Sequence, residues 1–189
     1  VLPYDYYTNE NLKHQRDTCL DILRLLNINC NNKSYDIFYT KKNKLNALSF
    51  LSSFEASKII IGLNIEGSSE KNKILNEDVI KIILELHSMN NNIIVIILHK
   101  PNDRDRIIGL IPDEASSFVF PSYPTESILD LAAIVDAVDL IISPDTSIVH
   151  MACALKKPLV AIYRDRIGNF DKWYPISDCN HIVFSKYKD

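Results

Sequence analysis

Residues 140–163 read LIISPDTSIVHMACALKKPLVAIY. The stretch opens on an apolar run, Leu140–Ile142, passes through a loop of small and polar residues, and continues as a helical segment from Thr146 to Leu155. A second apolar run, Pro158–Tyr163, follows. Short, wholly apolar runs are how strands buried on both faces read, and a helix between two of them makes a parallel crossover unit. The alternation extends in both directions. Lys58–Leu63 (KIIIGL) is apolar, Glu77–Met89 (EDVIKIILELHSM) has helical periodicity with acids in its first turn, and Asn92–Leu98 (NIIVIIL) is another buried run. Asp103–Ile111 reads as a short helix, Phe118–Phe120 as a third run and Glu126–Ala137 as a helix, and His181–Phe184 closes the series. Strands alternating with helices through right-handed crossovers predict an α/β fold, a doubly wound parallel sheet of about six strands.

The first forty-odd residues differ. Residues 10–26 (ENLKHQRDTCLDILRLL) place Leu12, Cys19, Ile22, Leu23, Leu25 and Leu26 mostly on one helical stripe, and an Asn-rich turn, Asn27–Asn32, stops it. Tyr35–Tyr39 (YDIFY) is expected as a short edge strand and Lys41–Asn46 as a solvated connector. The expected division is residues 1–46, a linker helix with its connector, and residues 47–189, the sheet domain. The chain opens on Val1 rather than Met and is read as a piece of something longer.

Composition narrows the function. With 47% hydrophobic and 24% charged residues the chain is an ordinary globular sequence with a sizeable core. Twenty-one basic against twenty-four acidic side chains give a net charge of −3, so no global basic field favours nucleic acid. No apolar run reaches the roughly 18 residues needed to span a bilayer, and no secretory leader is visible. Cys19, Cys30, Cys153 and Cys179 stand singly without metal-ligand spacing and read as reduced thiols of a cytosolic protein. The four glycines (Gly62, Gly67, Gly109, Gly168) can write neither GxGxxG, nor a P-loop, nor a GxSxG elbow, which disfavours the dehydrogenases, nucleotidases and lipases of this fold.

Ligands of such sheets sit at the carboxyl ends of the strands. In the loop Ser143–His150, Asp145 or Thr146 caps the following helix, and its open backbone N–H groups, helix dipole and hydroxyls make an anion site with His150 one turn further in. Plain capping, with His150 packed, explains the same residues. In Asn64–Lys73, small residues allow close backbone approach and a lysine counters phosphate charge, unless the loop is simply solvated. In His99–Arg106, Asp103 or Asp105 suits ribose hydroxyls, or else starts a solvated helix. Arg164 and Arg166 after the penultimate strand suit phosphate, and Trp173 offers either a stacking face or packing.

Taken together, these loops resemble glycosyltransferase family 9, the lipopolysaccharide ADP-heptose heptosyltransferases. The family pattern D-T-[GS]-x-x-H-x-A-x-A-L-x-x-P is matched by Asp145, Thr146, Ser147, His150, Ala152, Ala154, Leu155 and Pro158. Glu66-Gly67-Ser68-Ser69 followed by Lys73 and Glu77 resembles the family's small-residue loop and phosphate-side lysine. Ser127–Ala132 matches the approach to the next helix, and His14–Leu26 the helix joining the family's two domains. Ser147 stands where many members have glycine, and a glycine-proline turn after the strand is replaced by Tyr163-Arg164-Asp165.

The resemblance implies the C-terminal, donor-binding half of a GT-B enzyme, a Rossmann-like domain with an N-terminal linker helix. The implied reaction moves heptose from ADP-heptose to the lipopolysaccharide core, with inversion, no cofactor and no required metal. Lys73 and His150 are then the catalytic residues of this half. Lys73, Asp103, Asp145, Thr146, Ser147 and His150 hold the nucleotide sugar, with Asp103 at the ribose. The general base and the acceptor belong to an N-terminal domain, so this chain alone is expected to be inactive. The implied place is the cytoplasm, with peripheral contact at the inner membrane and no nucleic-acid partner. The alternatives are a glycosyltransferase for another nucleotide sugar, an epimerase or hydrolase of the same plan, and a non-catalytic flavodoxin-like binding domain.

Overall fold

The computed structural model describes residues 13–67, 69–164 and 169–185. Leu12, Ser68, Asp165, Arg166 and Gly168, singled out above, lie outside the described residues. The strands are β1 (Ile59–Asn64), β2 (Ile93–Leu98), β3 (Val119–Pro121), β4 (Leu140–Pro144), β5 (Leu159–Arg164) and β6 (Asn180–Ser185). The helices are α1 (Gln15–Leu25), α2 (Lys41–Leu51), α3 (Asn76–Met89), α4 (Arg104–Leu110), α5 (Ile128–Ala137), α6 (Ser147–Ala154) and α7 (Asn169–Trp173). Among the described residues the six strands form one all-parallel sheet in the order β3-β2-β1-β4-β5-β6. The doubly wound Rossmann-like sheet expected from the sequence is the observed one.

The order follows from the apolar runs. Every residue of β2 (IIVIIL) is buried, as an inner strand covered on both faces must be. β6 alternates between half-buried and exposed positions, as befits an edge. From β1 the chain winds outward through β2 and β3, returns to β4 beside β1, and winds the other way through β5 and β6. The order therefore reverses between β1 and β4, and the crevice at their carboxyl ends is where ligands of such sheets bind. Among the described residues no helix is long and apolar enough to cross a membrane.

Two expectations at the N-terminal end are corrected. Lys41–Asn46 are not a connector but the first half of α2, and the expected boundary between residues 46 and 47 falls inside this helix. Thr40 and Asn43 form a capping box, and Asn43 Nδ2 also donates to Asp130 Oδ1 at 2.7 Å, where Ser127 and Asp130 form the capping box of α5. The two boxes fasten α2 to α5. Burial opposes the charge on Asp130, but hydrogen bonds from Asn43, the Glu126 amide and Ser127 outweigh it and hold the carboxyl below its usual range. Tyr35–Tyr39 forms no strand. Its alternation is real, since Tyr35, Ile37 and Tyr39 pack against the core while Asp36 and Phe38 face out, but the segment pairs with no strand and Tyr39 Oη bonds Asp136 of α5 instead. The Asn-rich turn does end α1, with Asn27 in the left-handed region at φ 58°.

Candidate functional site

The site grows from the end of β4. Thr146 takes an extended backbone (φ −148°) and caps α6, its hydroxyl accepting from Ile148 N at 3.3 Å. The Asp145 amide is spent on Ile162 O of β5 at 3.1 Å, which fixes the strand end against its neighbour. Ser147, the first helical residue, is exposed, so the open end of α6 points out of the crevice between β1 and β4. Five of the eight residues of α6 (Ile148, Val149, Met151, Ala152, Cys153) are buried, which anchors a short helix rigidly.

Across the crevice, β1 ends in Asn64, a buried amide after a run of apolar side chains. Asn64 Nδ2 lies 3.0 Å from Ser143 Oγ, 3.0 Å from Thr146 Oγ1 and 3.1 Å from the Glu66 carbonyl, and Asn64 Oδ1 accepts from the Glu66 amide. One side chain thus ties β1, β4, the α6 cap and the following loop together. Sequence reading did not assign Asn64 this role, although a lone polar residue closing an apolar strand was a usable signal.

Two cavities meet at Thr146 and Ser147. One, of about 570 Å³, opens toward β5 and is walled by Lys73, Asp145, His150, Tyr163, Arg164 and Trp173 among others. The other, of about 600 Å³, opens toward β2 and is walled by Asn64, Glu66, His99, Ile128, Leu131 and Ile148 among others. His99 is buried at the floor of the second, its Nδ1 2.8 Å from Lys100 O and its Nε2 3.0 Å from Ser122 O.

Lys73 stands at the rim of the first cavity, 2.7 Å from Glu70 Oε1 and 3.4 Å from Glu66 Oε2. The bond to Glu70 and, behind it, Glu66 hold its ammonium above the ordinary lysine range, so it is a full positive charge near neutral pH. Glu66, only 7% exposed, also takes an ion pair from Arg106, which in turn reaches Asp103 at 3.3 Å. Lys73, Asp145, Thr146, Ser147 and His150 are therefore gathered around one cavity. Asp103 lines neither and stands behind Glu66 in the ion-pair chain.

His150 lies one turn into α6. Its ring sits between Tyr35 (centroids 5.9 Å apart, 83° between planes) and Trp173 (5.6 Å, 55°). Burial, and secondarily the nearness of His14, keeps its pKa below the ordinary histidine value, so the ring is neutral near pH 7. His14 itself is buried before α1, with Nδ1 accepting from Arg16 N at 3.1 Å and Nε2 donating to Tyr174 O at 3.1 Å. These contacts bring the N-terminal segment onto Tyr174, just after α7. Neither His14 nor Tyr35 was picked out from the sequence for this role.

A family model described as glycosyltransferase family 9 (heptosyltransferase) matches residues 38–189. The chain belongs to that family. The match takes in every site residue named above except His14 and Tyr35. Among solved structures the chain is similar to a family 9 glycosyltransferase from Veillonella parvula, with TM-score 0.75, 17% identity and 92% of this chain covering 49% of the other. It is also similar to Escherichia coli ADP-heptose lipopolysaccharide heptosyltransferase II (TM-score 0.65, 16% identity, 82% of this chain and 47% of the other). A third likeness is to E. coli heptosyltransferase WaaC with ADP-2-deoxy-2-fluoro heptose (TM-score 0.54, 16% identity, 72% and 40%). At these identities the likeness is one of fold, and the chain spans about half the length of the structures it matches. No curated protein matches it in sequence.

Proposed function

We propose that this chain binds the nucleotide-sugar donor of an inverting glycosyltransferase, with ADP-heptose as the donor and the lipopolysaccharide core as the acceptor. The observation that carries the reading is the meeting of two cavities at the open end of α6, where the sheet order reverses. A nucleoside diphosphate needs a place for an anion between a place for a base and a place for a sugar. The Ser147 amide and hydroxyl, the positive end of the α6 dipole and Lys73 supply the anion site. The cavity toward β2, with its apolar lip of Ile128 and Leu131, takes the nucleoside, and the cavity toward β5 takes the β-phosphate and sugar. Glu66 rather than Asp103 is then the acid nearest the ribose. Family membership and the ADP-sugar held by WaaC support the choice of adenine nucleotide.

In this scheme an acceptor hydroxyl attacks the anomeric carbon as the bond to the β-phosphate oxygen breaks. The electron pair leaves with the diphosphate, and the hydroxyl proton passes to a base on a second domain. Lys73, the Ser147 amide at the positive end of α6 and a neutral His150 donor lower the energy of the departing charge without a metal, which is electrostatic catalysis by groups already in place. The second domain would also bring the lipid-linked acceptor, through peripheral contact with the cytoplasmic face of a membrane.

Calorimetric titration of the chain with ADP, UDP, GDP and CMP tests the reading, alongside Lys73→Ala. ADP is expected to bind selectively and to lose about tenfold or more with the lysine gone. Selective binding of UDP or GDP would move the donor to another nucleotide sugar, and affinity indifferent to Lys73 would remove the anion site from this crevice.

A further inference from the structure

We propose that Tyr35, on the segment between α1 and α2, is a positioning residue that holds the His150 ring with Nε2 turned toward the anion site. The inference deepens the donor-site reading and rests on it only for the identity of the anion. Tyr35 lies outside the stretch matched by the family, and the sequence singles it out only as the start of a short strand that does not form.

Tyr35 packs on the imidazole nearly at right angles and Trp173 packs on it tilted by 55°. Aromatic pairs favour such edge-on geometry, so the two side chains define the ring's plane rather than merely filling space. Trp173 is itself held, because the Tyr163 hydroxyl donates to its carbonyl at 2.7 Å and His14 Nε2 donates to the next carbonyl, that of Tyr174. Within this clamp His150 Nδ1 is buried and has no hydrogen-bond partner. Nε2 is therefore the nitrogen that exchanges hydrogen bonds with a ligand in the cavity.

The tautomer follows. A phosphate oxygen only accepts, so the ring must carry its proton on Nε2 to be of use to it. Charging the ring would put a second proton on Nδ1, a dry donor without an acceptor, and a buried donor left unpaired is costly. None of the groups around the ring is a hydrogen-bond partner of Nδ1: His14 precedes α1, Tyr35 packs nearly perpendicular to the ring, Tyr163 and Arg164 lie on β5, Asp145 follows β4, and Lys73 lines the same cavity. The clamp keeps His150 a neutral Nε2–H donor, and the lowered pKa agrees.

Side-chain ¹H–¹⁵N correlation spectra of the full chain between about pH 4 and pH 8 read tautomer and titration directly and need no ligand. The wild type is expected to show His150 as the Nε2–H tautomer, titrating below the free-imidazole value. Tyr35→Ala is expected to shift that titration upward and mix the tautomers, Tyr35→Phe to restore both, and Trp173→Leu to resemble Tyr35→Ala. In parallel, ADP affinity should fall about fivefold in Tyr35→Ala, the worth of one misaimed neutral hydrogen bond, and recover in Tyr35→Phe. An unchanged His150 in Tyr35→Ala, or a phenylalanine variant that behaves like alanine, overturns the proposal. Failure of the wild type to bind any nucleotide would instead overturn the donor reading and leave the spectra to decide on Tyr35.

Discussion

The two cavities that meet at Thr146 and Ser147 are nearly equal in volume, about 570 and 600 Å³, and are made of different material. The one toward β5 is lined by the ends of β4, β5 and β6 and carries its titratable groups above them, Lys73 on a loop between two carboxylates and His150 on α6 against two aromatic rings. The one toward β2 rests on buried strand ends, Asn64, Leu98 and His99, and on apolar side chains of α5 and α6. Ion pairs can be exchanged for ligand contacts without disturbing the core, whereas strand ends cannot move without it. Substitution of the ion-paired Lys73 should therefore change binding before stability, and substitutions at the buried strand ends the reverse.

The largest effect is expected at Gly67, where the wall of the β2-side cavity packs on Asn72 and Lys73 of the other. A side chain at Gly67 would place its Cβ 2.6 Å from Lys73 N and as close to the Asn72 backbone, none of which can rotate away. Gly67→Val should cost about 3 kcal/mol or force the loop apart, read as a fall in the urea midpoint together with loss of ADP binding. Asn64→Leu comes next. It leaves the Glu66 amide and the Ser143 and Thr146 hydroxyls short of a partner, at a cost of about 2 kcal/mol, and a variant as stable as wild type would mean that the β1–β4 tie is ornamental. Ile128→Ser separates the cavities by ligand. Ile128 is 57% exposed on the lip of the β2-side cavity, so stability should hardly change while ADP binds about fivefold more weakly and pyrophosphate equally well. Equal loss for both ligands would abolish the distinction between a base side and an anion side.

This contrast also explains what the sequence disclosed. The sheet was legible because β1, β2, β4 and β5 are apolar runs, and two-sided burial leaves no other way to write them. The α6 loop was legible because Asp145, Thr146, Ser147 and His150 are close in sequence and line one cavity at one strand end. What could not be read depends on partners far along the chain. Lys41–Asn46 looks solvated and mostly is, yet it is helical because Asn43 meets Asp130, 87 positions away. The sequence offered Asp103 or Asp105 as the ribose acid, and only the fold places Glu66 on the crevice and Asp103 behind Arg106. The histidine-aromatic cluster joins His14, Tyr35, His150, Trp173 and Tyr174 from four parts of the chain, so no local pattern announces it.

The smallest expected effect is a pH dependence that belongs to the β5 side. His14 is neutral in the folded chain because burial disfavours its charge and because Nδ1 already accepts from Arg16 N, so protonation would cancel the cap of α1. His150 is neutral chiefly through burial, with His14 adding a little repulsion. In the unfolded chain both titrate near the ordinary value of about 6.5. As pH falls through that value the unfolded state binds more protons than the folded one, so stability falls with pH, and the loss stops growing once the lower folded pKa values are passed. Urea midpoints at about pH 7 and about pH 5.5 should differ in that direction, and the difference should shrink in His14→Gln and again in the double variant with His150→Gln. Asp17 and Asp130, both held below the usual carboxylate range, contribute stability that is lost only in a separate, more acidic window, below about pH 4. A midpoint that moves as much in the double variant as in wild type would detach the pH response from the histidine cluster and leave α1 docked by its ion pairs alone.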